Sequence, residues 1–257
     1  GIALRLDEFE SFFFPLTERI KLRYPFYAHV HISIYGLQFE FPEHHFLRDL
    51  ESALKNLAEI RPRISDFSEG RRDPKKQRDE LRDLIAREKF ISRSIISAAF
   101  SLVEAFLSGL FFTAHHTKSI GSLNCDDEFL RYAGTKESAP LRDRIDQIVR
   151  FVSHGQATGN DKPFDSLIDF GKLYRDAIHH TTPFGRKDVE AGGRLNALYK
   201  INGGIALQCS LFSLDTVLTL SRWVYGDPDT TAIGEGCCKL KRNVLNLLPD
   251  AEGSENV

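Results

Sequence analysis

The chain has 257 residues, 42% hydrophobic and 27% charged, with a formal net charge of −2. That length suits one large domain or a domain with an appendage, and the composition is that of a folded globular protein. The near-neutral charge excludes the surface-wide basic field that grips duplex DNA, while leaving room for a local basic patch.

Residues 4–23 read as an amphipathic helix interrupted or opened near Pro15. The period then changes. In AHVHISIYGLQFEF, residues 28–41, Val30, Ile32 and Ile34 alternate with His29, His31 and Ser33, the pattern of a strand. Gly36 marks a bulge or turn before Leu37, Phe39 and Phe41 resume the alternation, so a small β-hairpin on a helical body is predicted.

After Pro42 the helical period returns over residues 43–60, where Leu47, Leu50, Leu54 and Leu57 fall on one face. Residues 61–80 are polar and turn-rich, an exposed connection whose basic core RRDPKKQR reads as a solvated surface run rather than a polyanion contact. Residues 76–117 hold a helical pattern throughout, predicting one very long helix or two with a break near 88–92. Within it, residues 95–114 form a 20-residue run with a single charge, Glu104. Such a run is long enough to span a bilayer. A carboxylate at its centre would be costly there, so a buried helix at the heart of a bundle is expected, with no membrane partner.

A loop follows at 120–127, then short helices near 127–133 and 140–152, and another loop at 154–163. Asp161 and Pro163 start a helix that runs to about residue 180, where Thr181, Thr182 and Pro183 end it. A strongly apolar helix covers roughly 204–225, stopped by Gly226 and Pro228. The predicted division is an N-terminal unit at 1–75, a helical bundle at 76–248 and a disordered tail at 249–257. The fold class is all-α with a small N-terminal β appendage.

The helix FDSLIDFGKLYRDAIHH, residues 164–180, carries an anomaly. At about 100° per residue, Phe164, Leu167, Ile168, Gly171, Tyr174 and Ile178 share one arc, and Arg175 falls inside it. A cation on an apolar arc snorkels to the rim, pairs with a buried carboxylate or lines an anion-binding cleft. Glu104 has the complementary predicament, and burying either charge alone is expensive. The two are therefore expected to face each other across the bundle. His179 shares the face of Arg175, whereas His180 sits about 140° away on an ideal helix. Imidazoles titrate near neutrality, as proton transfer requires, and a neighbouring guanidinium can stabilise a charged phosphorus centre.

The segment RDAIHH, residues 175–180, resembles the R-x4-H motif of the HEPN superfamily, with the polar Asp176 directly after the arginine. The apolar helix bearing one glutamate before it and the apolar helix after it extend the resemblance over roughly residues 76–226. The resemblance implies a HEPN-like helical bundle that pairs two-fold as a homodimer, with both motifs in one cleft. It implies metal-independent RNA cleavage, in which the 2′-hydroxyl attacks the adjacent phosphate. Arg175 would stabilise the phosphorane, His180 would handle protons and Asp176 would orient or polarise the pair. His179 is the second candidate, favoured by helix geometry but not by the motif, and Glu104 would support the arginine. Thr181 and Thr182 depart from the family pattern of a tyrosine or proline soon after the histidine.

Two other chemistries are weaker. His31-Ile-Ser33 fits an H-x-S/T signature, but the partners, His115-His116-Thr117 or His179-His180-Thr181, lie at helix ends rather than on a facing strand. The nine histidines show no HxxxH, and the four cysteines no CxxC, so neither metal nor cofactor is expected. Reduced thiols and a cytoplasmic setting follow from the same cysteine pattern. A non-catalytic alternative is a HEPN-like dimerisation, nucleotide-binding or antitoxin-linked interaction module. An open cationic groove at Arg175 favours cleavage; an arginine sealed and neutralised by Glu104 favours a structural role.

Overall fold

The computed structural model describes residues 29–33, 36–135, 139–179, 185–190, 192–227 and 231–248. The architecture is all-α with a small strand appendage. The helix expected at 4–23, His180, the Thr-Thr-Pro after it and the tail from 249 lie outside the described residues.

Strand β1 (His29–Ser33) pairs antiparallel with β2 (Gly36–Glu40), His31 opposite Gln38. Helix α1 (Pro42–Ser68) opens on a proline, whose missing N–H costs nothing at the first helical position. The helix runs eight residues past its expected end at 60 and passes through Pro62. The physical reason is the apolar period: Leu57, Ile60, Ile64 and Phe67 continue one face against the core. One lost backbone bond does not outweigh that burial.

Helix α2 (Arg78–Thr117) is a single 40-residue helix, about 60 Å long, with no break near 88–92. Lys118 ends it in the left-handed region, donating its backbone N–H to the Ala114 carbonyl at 2.9 Å. Helix α1 packs along α2, and both contribute to one hydrophobic cluster. The connection near residue 75 therefore separates two helices of one core. In that connection Arg72 reaches Glu80 at 2.5 Å and Arg71 reaches Asp66 at 2.7 Å, so part of the basic run is tied down locally.

A two-residue ladder, β3 (Ser119–Ile120) with β4 (Leu123–Asn124), turns at Gly121, which presses on the Val224 backbone and leaves no space for a side chain. Helices α3 (Asp127–Thr135) and α4 (Leu141–Val152) follow. The next helical stretch begins as α5 (Phe164–Ser166), widens to a π-helical turn at Leu167–Gly171 and continues as α6 (Lys172–His179). Short helices α7 (Arg186–Val189) and α8 (Arg194–Lys200) lead to α9 (Gly203–Tyr225), capped by Asn202, whose side chain accepts from the Ile205 N–H at 3.0 Å.

The sequence reading places no helix after residue 225, yet α10 (Ala232–Leu247) follows, capped by Thr231. Ile233, Cys237, Leu240 and Val244 give it a buried face that packs on α9. Helices α2 and α9 are each long and apolar enough to cross a bilayer, but their apolar windows are 72% and 61% buried inside the bundle, as core helices are.

Candidate functional site

The π-helical turn positions the site. It adds a residue to one turn, so the face presented by α6 is not the one that uniform 100° steps would give. At the end of that turn Gly171 lies against the Phe100 ring; a Cβ there would come within 2.9 Å of Phe100 Cζ. The missing side chain lets this helix approach α2 closely. Phe164, Leu167 and Ile168 of the expected apolar arc are buried, Tyr174 and Ile178 partly so, and Ala177, outside that arc, is buried as well. Beneath it Cys209 is buried, and burial pushes its thiol up to about 12, so it stays a neutral packing group.

Arg175 leaves this arc to meet Glu104, Nη2 to Oε1 at 2.7 Å, joining α6 to the middle of α2. Its Nη1 donates to Asp176 Oδ1 at 3.1 Å. Asp176 Oδ2 lies 3.5 Å from Lys172 Nζ, and Glu104 Oε1 lies 4.0 Å from Arg144 Nη2. The five charged groups line a cavity of about 230 Å³ floored by Phe100 and Leu141. Among the described residues, three cations face two carboxylates there, an excess of positive charge. Arg175 and Glu104 are each 29% exposed. The guanidinium is thus accessible from the cavity and also paired, which satisfies part of each sequence-level criterion.

Arg144 was not foreseen, although the signal existed. It sits three residues after Leu141 and four before Ile148, both buried, so it too is a cation on an apolar helix face. Its side chain is 13% exposed, and its Nε is buried with no hydrogen-bond partner among the described residues. Lys172 was likewise missed; it flanks Asp176 at i−4. A third unforeseen cation, Arg194, holds Asp188 in a fork at 2.7 and 2.9 Å. That hydrogen bond holds its pKa above the ordinary value, against partial desolvation, with the charges of Asp188 and Asp176 adding attraction.

The histidines separate. His179 turns to α2, its Nε2 2.6 Å from Ser97 Oγ. Because residue 175 meets 104 while 179 meets 97, α6 runs antiparallel to α2 along this contact. His180, the histidine implied by the motif, lies outside the described residues. His115 and His116 sit in the last turn of α2, so with His179 they are helical, and the facing strands needed by a two-histidine phosphoesterase are not formed around them. Among the described residues no three His, Cys, Asp or Glu side chains converge as metal ligands.

Comparisons with protein-family models, with curated proteins and with solved structures found no match.

Proposed function

We propose that the chain is a HEPN-like, metal-independent endoribonuclease acting as a homodimer in a cytoplasmic setting. The observation that carries this reading is the Arg175 cavity: among the described residues, Arg144, Lys172 and Arg175 converge on a space of about 230 Å³ with Glu104 and Asp176 opposing them. A partly desolvated excess of positive charge is suited to a phosphodiester.

In this reading Glu104 and Asp176 hold the Arg175 guanidinium in one orientation, reducing the reorganisation needed when charge develops on phosphorus. The RNA 2′-hydroxyl loses its proton and its oxygen attacks the adjacent phosphorus. The bond from phosphorus to the 5′-oxygen breaks, and a proton goes to that leaving oxygen. The products are a 2′,3′-cyclic phosphate and a 5′-hydroxyl. The resemblance assigns the proton steps to His180, with His179 as the second candidate and a second copy of the chain completing the cleft.

One observation favours a different reading. Arg175 is already engaged by two carboxylates, which lowers its attraction for a substrate phosphate. A nucleotide-binding or antitoxin-linked interaction module of HEPN type would have the same helical frame without turnover. Incubating the purified full chain with mixed RNA, beside Arg175→Ala, separates the two. Cyclic-phosphate ends from the wild type alone support cleavage, and intact RNA in both samples rejects it.

A further inference from the structure

Arg144 is the least compensated charge of the Arg175 cavity. Its side chain is 13% exposed, against 29% for Arg175, yet its guanidinium has no hydrogen-bond acceptor among the described residues. Among those residues one carboxylate lies within ion-pair distance, Glu104 at 4.0 Å, too far for a hydrogen bond. The Oε1 atom of Glu104 already accepts from Arg175 at 2.7 Å. Burying a guanidinium with neither a hydrogen bond nor a carboxylate of its own is costly.

The other arginines of α4 are satisfied. Arg142 bonds to Asn160 Oδ1 at 2.8 Å and to Asp169, and Arg150 is held by Asp146 at 2.7 Å. Arg144 instead lines the cavity with Ala139, Pro140 and Leu141, where α4 begins. The Pro140 cap supplies no side-chain hydrogen bond to the first turn. A helix N-terminus is the positive end of the peptide dipoles, so a cation four residues into α4 sits at the unfavourable end. Asp143, the acid of that turn, is exposed and makes no ion pair with Arg144. Burial, absent partners and the helix dipole thus oppose this charge together, and one anion in the cavity would offset all three.

We infer that Arg144, a residue outside the Arg-His motif, is the group that holds the RNA phosphate, its outer nitrogens donating to the two non-bridging oxygens. A guanidinium fork matches that pair of acceptors. Arg175 occupies Glu104, which keeps that carboxylate from closing on Arg144, and is left to meet the charge that develops during attack. The inference rests on the reading that the Arg175 cavity receives an RNA phosphate.

The test is fluorescence anisotropy of the full chain with a short labelled 2′-O-methyl RNA strand, which resists 2′-hydroxyl attack, over a range of salt concentrations. Wild type, Arg144→Gln and Arg175→Ala are compared, and thermal unfolding is followed for each. Arg144→Gln is expected to weaken binding about tenfold. It should also reduce the slope of log affinity against log salt by about 0.7, the share of one phosphate contact on a single strand. The thermal midpoint should hold or rise, because an uncompensated buried charge is gone. A residue that merely braces the fold would lower the midpoint and leave the salt slope alone. If Arg175→Ala weakens binding while Arg144→Gln leaves affinity and slope unchanged, the Arg144 contact is overturned and the phosphate reading stands. If Arg144→Gln weakens binding with no change in slope, Arg144 acts through its neighbours and the proposal is overturned. If neither variant changes affinity, or the wild type does not bind the strand, the phosphate reading fails and takes the Arg144 contact with it.

Discussion

Arg175 Nη2 lies 2.7 Å from Glu104 Oε1, so the cation of α6 and the carboxylate at the centre of the apolar run in α2 neutralise each other where the helices touch. Each was anomalous alone, and the contact removes both anomalies. Removing Glu104 would leave a partly buried guanidinium beside Arg144 without one of its two carboxylate partners, Asp176 remaining. We expect Glu104→Ala to lower stability by about 1–3 kcal/mol, measured by urea unfolding. Replacing both partners by leucine should cost less than the two single leucine changes added together. Additive losses would mean that the contact carries no coupling energy.

The two adjacent histidines should differ in the RNA assay. The ring of His179 is engaged with Ser97 Oγ at 2.6 Å. His180→Ala is therefore expected to abolish cleavage, and His179→Ala to reduce it by less. EDTA should leave the rate unchanged, because the proposed chemistry moves protons through imidazole alone. Loss of activity on chelation would point to a metal-assisted reaction instead.

Gly171 is a packing position. Adding one methyl there would press into Phe100, a ring only 1% exposed. Gly171→Ala should cost about 1–3 kcal/mol, seen as a lower thermal midpoint, and Gly171→Val more. A stability gain from the alanine change would show that the contact between this helix and α2 is looser than described.

Acid sensitivity has a traceable source between α1 and α10. Hydrogen bonds from Lys239 and Lys55 to the Glu51 carboxyl, at 3.2 and 3.3 Å, hold it below its ordinary value, with slight desolvation opposing them. A carboxyl depressed in the folded state contributes stability above its unfolded pKa, about 4.5. That contribution is lost as pH falls through the lower folded value. Glu51→Gln should therefore cost on the order of 0.5 kcal/mol at neutral pH and nothing in strong acid, as followed by unfolding at a series of pH values. An equal cost at every pH would assign the loss to packing rather than charge.

Much of this arrangement was legible. The alternation of Val30, Ile32 and Ile34 predicts β1, and Gly36 begins β2. The lone charge in residues 95–114 and the arginine in the 164–180 arc predict their own pairing, because isolated buried charges require compensation. Other features were written in the chain and missed. The apolar face of α10, from Ile233 to Val244, has the usual helical spacing, but Gly234, Gly236 and two cysteines dilute the pattern. Arg144 obeys the same rule that singled out Arg175, but on the predicted helix near 140–152 several other charged residues surround it, so it does not stand out as a lone cation.

The amino-acid pattern by itself determined the helical class, the hairpin, and the need for Glu104 and Arg175 to meet. Which other charges would join them was decided by tertiary packing. Spacing along one helix specifies which residues share its face, but not how far that helix is rotated or shifted against a neighbour. Here the π-helical turn and the close contact of Gly171 with Phe100 set that rotation. That rotation brings Lys172 and Arg175 to the cavity that Arg144 of α4 also lines, and turns His179 to Ser97.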